Sequence, residues 1–252
     1  MTRAFFVLLK RELAAVVFSP IAYVTFVLLY LVNGFSFQFL LYAVSKNGAL
    51  QNLTIMQVFF STFFYWIVIV VSIPILTMRL FSEEYRSGTI ELLLTAPVTD
   101  WDVVLSKYFS QVLFYIALWL PTLTYVWIFQ VLTKNQIPIS WGPIALTYAM
   151  VLMVGMFYLS IGLFTSVMSR NQVLAAFGSF VIIILLFFSG FLGMGANDSI
   201  FQEMISYIGV LGHMSEFSKG VFDTRPVVFY FSFTLLFLFL TQQVMSLRRL
   251  KS

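Results

Sequence analysis

NQIPISWGPIALTYAMVLMVGMFYLSIGLFTSVMS (Asn135–Ser169) and NQVLAAFGSFVIIILLFFSGFLGMGAN (Asn171–Asn197) are parted by one charged residue, Arg170, and contain no Asp, Glu, Lys or Arg themselves. A helix rises 1.5 Å per residue, so about 20 apolar residues cross the ~30 Å of hydrocarbon in a bilayer. Each run is long enough. Four more charge-free stretches share that property: Leu13–Ser45, Asn47–Met78, Tyr108–Thr133 and Pro226–Leu247. The reading predicts an all-α integral membrane protein with six transmembrane helices near 20–43, 56–79, 105–132, 144–168, 172–195 and 227–248. A transmembrane barrel would instead show segments of about 10 residues with alternating polarity.

Composition agrees. The chain of 252 residues is 61% hydrophobic and only 10% charged, against roughly 25% charged in soluble domains. A soluble core cannot hide that surplus, because a chain of this size buries only about three-quarters of its surface on folding. The absence of cysteine excludes disulfide scaffolds, thiolate metal sites and cysteine nucleophiles. One histidine, His213, makes a zinc site or histidine-based catalysis a poor fit. As a lone loop histidine it is expected at a polar surface.

Six spans place both termini on one side, with Arg3, Lys10, Arg11, Arg79, Arg86, Lys107, Arg170, Arg248, Arg249 and Lys251. The opposite side carries Lys46, Lys134, Lys219 and Arg225. The basic excess marks the cytoplasmic face, so both ends are expected inside. The net charge of +4 is then an excess of basic loop residues, with no nucleic-acid partner. Within 1–18, Phe5, Leu9, Leu13, Val16 and Val17 recur at helical spacing, interrupted by Arg3, Lys10, Arg11 and Glu12. That pattern suits a helix lying in the headgroup interface, its basic side chains toward anionic lipid. Ser19-Pro20 reads as an N-cap and first-turn proline opening the first span.

The cytoplasmic loop over 79–104 gathers Arg79, Glu83, Glu84, Arg86 and Glu91 within thirteen positions. Gly88 and Pro97 bracket a short helix-prone stretch, Thr89–Thr95, in which Ile90, Leu93 and Leu94 share a face. Thr99-x-x-Asp102 resembles a capping box that starts the third span. Ile90, Leu92, Leu93 and Leu94 cannot all face water comfortably, so they lie on the bilayer surface or insert into another protein. Composition alone equally allows a solvated connection.

These residues carry a resemblance. Glu83-Glu84-x-x-Ser87-Gly88-Thr89-Ile90-Glu91-Leu92-Leu93-Leu94, followed by Ala96-Pro-Val-Thr-Asp-Trp101, is similar to the coupling region of type-2 ABC transporter permeases, and more narrowly to their gliding-motility (GldF-like) branch. Ser19–Tyr23, Leu120–Tyr125, Ser169–Val173 and Ser218–Arg225 resemble that branch too. The resemblance implies a single permease domain over 1–252 in a bacterial cytoplasmic (inner) membrane, with a second permease chain as homo- or heterodimer. It implies separate ABC ATPase subunits that carry ATP and Mg, with no cofactor on this chain, and an additional subunit with an extracytoplasmic domain. Thr89–Thr95 would be the coupling helix seated in the ATPase, Gly88 allowing the turn into it. Leu92–Leu94 would be the apolar anchor, and Glu83, Glu84, Arg86 and Glu91 polar contacts around it. ATP-driven closure would tilt the first, second and fifth spans, serving export or mechanical work on an extracytoplasmic partner. The chain itself is non-catalytic: none of its 13 glycines precedes lysine, so no G-K-[ST] phosphate loop exists.

Other features stay open. Gln57, Asn33, Gln38, Gln111 and Gln172 line a pathway or join helices; Pro74 and Pro121 kink or loosen their spans. Gly162/Ser166 and Ser189/Gly193 permit close helix contact, read as packing rather than a dimer seam. The outer loop 197–225 mixes apolar and charged residues and is expected to form one or two short helices, one opening at Ser199-x-x-Gln202. The resemblance implies that they cap the translocation route. Two other classes remain: an ATP-independent channel or carrier, which predicts charges buried within the spans, and a membrane acyltransferase, which needs a histidine constellation.

Overall fold

The computed structural model describes residues 3–47, 54–60, 63–91, 97–133, 140–192 and 207–249. Every regular element among them is helical. In chain order these are α1 (Arg3–Val17), α2 (Pro20–Asn47), α3 (Ile55–Phe60), α4 (Phe63–Thr77), α5 (Ser82–Ser87), α6 (Asp100–Trp119), a 3-10 turn (Leu120–Leu123), α7 (Thr124–Leu132), α8 (Trp141–Met168), α9 (Gln172–Leu192), α10 (Val210–Ser218) and α11 (Thr224–Arg249). Six helical stretches are long and apolar enough to cross a membrane: Pro20–Tyr42, Tyr65–Ser87, Asp100–Leu132, Trp141–Met168, Gln172–Gly190 and Thr224–Arg249. The chain is an all-α, six-span membrane protein.

Spans two and four form the centre. They are 72% and 61% buried, whereas spans one, five and six are 28%, 22% and 22% buried and leave most of their apolar surface outward. Helix α8 packs against α4, α6, α9, α10 and α11. Lipid tails are as apolar as leucine, so helices in a bilayer associate through close packing of small residues rather than by hydrophobicity. Accordingly Gly155 lies against the Tyr115 ring and Gly162 against the Thr77 side chain, where an added Cβ has no room. One turn on, the Ser166 hydroxyl accepts the backbone N–H groups of Phe81 at 3.0 Å and Ser82 at 3.3 Å, and donates to the Met78 carbonyl at 3.3 Å. The Gly162/Ser166 pair is therefore packing within the chain, as its spacing suggests. Gly193 lies outside the described residues.

Of the second span, expected as one helix over 56–79, the structure describes α3 and α4, and the Trp66 indole donates to the Phe60 carbonyl at 3.2 Å. Thr54 and Gln57 form a reciprocal capping box on α3: the Thr54 N–H donates to Gln57 Oε1 at 2.9 Å, and the Gln57 N–H to Thr54 Oγ1 at 3.2 Å. Gln57 thus caps a helix. The third span starts at Asp100, ahead of the 105–132 apolar bounds and where the Thr99-x-x-Asp102 signal places it, because Thr99 Oγ1 accepts the Asp102 N–H at 3.1 Å. It breaks into the 3-10 turn at Pro121, where sequence places a kink. Helix α4, by contrast, runs through Pro74.

Of the outer helices, α10 is present and packs against α8, α9 and α3; Ser199-x-x-Gln202 lies outside the described residues. His213, expected at a polar surface, is buried on α10 with Nδ1 at 3.1 Å from the Tyr230 hydroxyl. Burial pushes the imidazole pKa down, with Asp223 partly opposing.

Replacing Gly162 by alanine forces a methyl group onto Thr77 and should cost about 1–3 kcal/mol, as overpacking does in a tight core. The readout is the thermal midpoint of the detergent-solubilised protein. Gly178→Ala, where the new Cβ meets Thr165 only at ordinary contact distance, should leave the midpoint nearly unchanged.

Candidate functional site

The loop between spans two and three is held at both flanks. On the entering flank α5 follows the Ser166-stitched turn and ends at Gly88, whose φ of 73° is left-handed backbone that only glycine adopts cheaply. Across α5 the side chains divide. Glu83, Arg86 and Ser87 are exposed, while Glu84 and Tyr85 turn toward the bundle. On the leaving flank Thr99 caps α6, and Arg249 pairs with Asp100 at 2.8 Å and donates to the Val98 carbonyl at 3.2 Å. Arg248 stacks over the Tyr85 ring at 4.4 Å and donates to the Met168 carbonyl at 3.0 Å. The basic end of α11 therefore grips both sides of the loop.

Beneath the loop sits a charge cluster that sequence reasoning missed. Lys107, on the second turn of α6, is 2% exposed. Its ammonium lies 2.9 Å from Glu84, 3.2 Å from Glu12 of α1 and 5.2 Å from the Phe81 ring centroid. Arg11 bridges the same two carboxylates, at 2.5 Å from Glu12 and 3.2 Å from Glu84. Burial alone would push the Glu12 carboxyl up; Lys107 and Arg11 outweigh it and hold it below the usual carboxylate range. An ammonium out of water is costly unless paired in good geometry, so α1, α5 and α6 must meet here. Helix α1 accordingly packs along α6, turning Phe5 and Glu12 inward. The amphipathic pattern of 1–18 has a protein-facing side whose polar member is Glu12, a side that lipid contact alone would not require.

The predicted site residues fall into three groups. Glu83, Arg86, Gly88, Thr89 and Glu91 are exposed, and residues 90–91 are helical. Glu84 and Ile90 face inward: Glu84 holds Lys107 and Arg11, and Ile90 is 7% exposed within the core. Ile90 thus takes a third alternative to bilayer or partner, its own bundle. Leu92, Leu93 and Leu94 lie outside the described residues. The signal that could have exposed the cluster is a lone lysine at i+7 from Asp100, on the same face of α6 as the apolar Val103 and Val104, both fully buried. Among the described residues no group of histidines and carboxylates could hold a metal ion.

Residues 67–251, more than half of the chain, match the family model described as ABC-2 family transporter protein. The chain is 23% identical over 156 residues to the probable multidrug ABC transporter permease YbhR of Escherichia coli K12, covering 60% of this chain and 40% of that relative. The O157:H7 strain's protein of the same name gives the same figures. The chain thus spans about two-fifths of the length of the curated relatives it matches. No solved structure matches it.

Removing the lysine while leaving its carboxylates should be severe. Lys107→Met is expected to lose about 3–5 kcal/mol, the cost of breaking a buried pair from one side, and adding Glu12→Gln should restore part of it. The pH dependence has a defined sign. Because the folded-state pKa of Glu12 is lowered, its contribution is fully present above the ordinary carboxylate value and lost as pH falls through the lowered one. Thermal midpoints followed through an acid titration should therefore fall in the wild type, with a shallower acid limb in Glu12→Gln.

Proposed function

Since the chain belongs to the ABC-2 transporter family, we propose that it is the permease subunit of an ABC transporter whose ATP and Mg are bound by separate ATPase chains. The observation that carries this is the loop between spans two and three, whose described flanks, with Arg86–Thr89 exposed on the entering side, are tied to helices of the bundle. A load applied to the tip cannot be absorbed by a slack connection. It passes through Glu84 and Lys107 into α6 and α1, through the Ser166 stitch into α8, and through Arg248 and Arg249 into α11. These ties reach spans three, four and six directly, and the central helices α4 and α8 carry the displacement to spans one and five.

In this reading, residues 89–95 seat in the ATPase, with Leu92–Leu94 as anchor and Glu83, Arg86 and Glu91 at the rim. Glu84 and Ile90 act behind that contact, fixing the seat to the bundle. Closure of the ATPases on ATP shifts the permease between two arrangements, by no more than the difference in their affinity for each. A second permease chain, identical or related, covers the apolar faces of the outward spans, in a bacterial inner membrane with both termini cytoplasmic. The work done is export or movement of an extracytoplasmic partner subunit. Helix α10 caps the outer end of the route.

A carrier working without ATP would use charges buried along the spans. The buried lysine and its carboxylates sit together at one end of α6 and neutralise one another, which suits an anchor better than a relay.

The test is co-expression with a candidate ATPase, followed by affinity purification and an ATPase assay. Leu93→Asp and Glu91→Arg should each weaken capture of the ATPase on the order of 30-fold, the effect of losing a ~2 kcal/mol hot spot, while the permease stays monodisperse. Stoichiometric capture by both variants would sink the assigned contact.

A further inference from the structure

Span three breaks in mid-course, and its two parts are held differently. Helix α6 buries eleven of its twenty residues and packs along α1, α8 and α11. Beyond the break, α7 buries two of its nine, Val126 and Phe129, and packs closely with the 3-10 turn alone among the described elements. Behind α7 lies a narrow apolar crevice, lined by Phe37, Phe59 and Ile144 together with Val126 and Phe129. The Tyr125 ring stacks on Phe37 at 5.0 Å. Among the described residues no side chain of α7 is hydrogen-bonded to another helix; the Thr124 hydroxyl donates to the Pro121 carbonyl of its own turn at 2.6 Å. Dispersion contacts of this kind have no preferred direction and are individually weak, so α7 can shift against the crevice without breaking a specific bond.

Directional ties gather at the break itself. Pro121 has no N–H and crowds the turn before it, and backbone groups freed inside a span must be satisfied by neighbouring side chains. Tyr30 of α2 donates to the Leu118 carbonyl at 3.1 Å, and Thr122 Oγ1 donates to the Trp119 carbonyl at 2.6 Å. The single hydroxyl proton of Thr122 is thereby committed, so Tyr148 of α8, 2.8 Å away, is the donor in their contact. Hydroxyls from spans one and four thus converge on one four-residue turn. The other side of that turn is open: Leu120, Pro121, Leu123 and Thr124 are exposed. A 3-10 stretch inside a longer helix has poorer hydrogen-bond geometry than the α-helix around it and often marks a hinge.

We propose that Leu120–Leu123 is a hinge between α6 and α7, latched by the Tyr30 and Tyr148 hydroxyls. Helix α6 is the fixed arm, held to α1 and α5 through Lys107, and α7 is the mobile one. Motion that enters span three at the Lys107 end is absorbed at the turn and need not reach the far end of the span. Each latch engages a backbone carbonyl of the last turn of α6, one directly and one through Thr122, so releasing either loosens the turn without disturbing the packing of α6. The hinge stands whether or not an ATPase docks on the loop between spans two and three.

The chain has no cysteine, so spin labels can be placed without background. Leu113→Cys with Val131→Cys puts one label on α6 and one on α7, both at exposed positions and about 27 Å apart at 1.5 Å per residue. Phe231→Cys with Leu247→Cys, also exposed, spans the uninterrupted α11 as a reference. Double electron–electron resonance is measured on the full chain in lipid nanodiscs, labelled chains diluted with unlabelled ones so that only distances within a chain are read. The pair across the break should give a broader distance distribution than the reference pair. Tyr30→Phe and Tyr148→Phe should each broaden it further and leave the reference unchanged, while Pro121→Ala, which lets the helix continue, should narrow it. Amide hydrogen exchange over 120–132 should rise about fivefold in either phenylalanine variant, the effect of losing one hydrogen bond. Tyr115→Phe, which removes a hydroxyl bonded to the Val151 carbonyl in the unbroken part of the span, should change neither readout. A distribution across the break as narrow as the reference overturns the hinge. No response to either latch variant, or an equal response to Tyr115→Phe, overturns the latches.

Discussion

An ammonium group removed from water at the membrane edge is among the most expensive things a helix bundle can contain, and Lys107 is 2% exposed. What makes it tolerable is the convergence of Glu12 and Glu84 at 3.2 Å and 2.9 Å, on two helices that lie apart in the chain. Much of the architecture at this end follows from that constraint. Helix α1 must lie along α6 to deliver Glu12, and α5 must turn back under the bundle to deliver Glu84. Gly88 then turns the chain out of α5 in left-handed backbone. Breaking the cluster would cost stability and also detach the loop from the helices it addresses.

A second arrangement complements it from the opposite flank. Where the cluster joins the loop to α1 and α6, Ser166 joins it to α8 through backbone hydrogen bonds, and the two terminal arginines of α11 hold Tyr85, Val98 and Asp100. These are short polar ties on an apolar scaffold, and each satisfies a group that the bilayer edge would otherwise leave bare. Together they tie a surface connection into the helix bundle.

Local chemistry was legible at particular residues. Thr99 and Asp102 announced the start of α6, Ser19-Pro20 the start of α2, Pro121 the break in span three, and Gly162 with Ser166 a close helix approach. Thr54-x-x-Gln57 carried the same kind of capping signal, yet inside a long apolar run it read as span interior. Glu12 looked like an interruption of an interfacial helix and Lys107 like an ordinary loop charge. His213 looked like polar surface. In each case the partner that changes the meaning lies on another element: Glu12 with Lys107, Glu84 with Arg11, His213 with Tyr230. Ile90 shares that lesson, since the helical face it was assigned to says nothing about what the face meets.

The sequence by itself determined how many helices cross the bilayer, where several of them begin, and that a loop rich in carboxylates and leucines separates the second from the third. Those properties depend on transfer of a contiguous segment into hydrocarbon and on hydrogen bonds within one or two turns, so neighbouring residues suffice to decide them. Only the tertiary structure decided which spans are central, which charges are buried and how the loop is tied down. Lipid tails and leucine side chains are equally apolar, so no periodicity separates a face toward lipid from a face toward protein. A buried charge, moreover, is permitted only by a partner that folding brings from elsewhere in the chain.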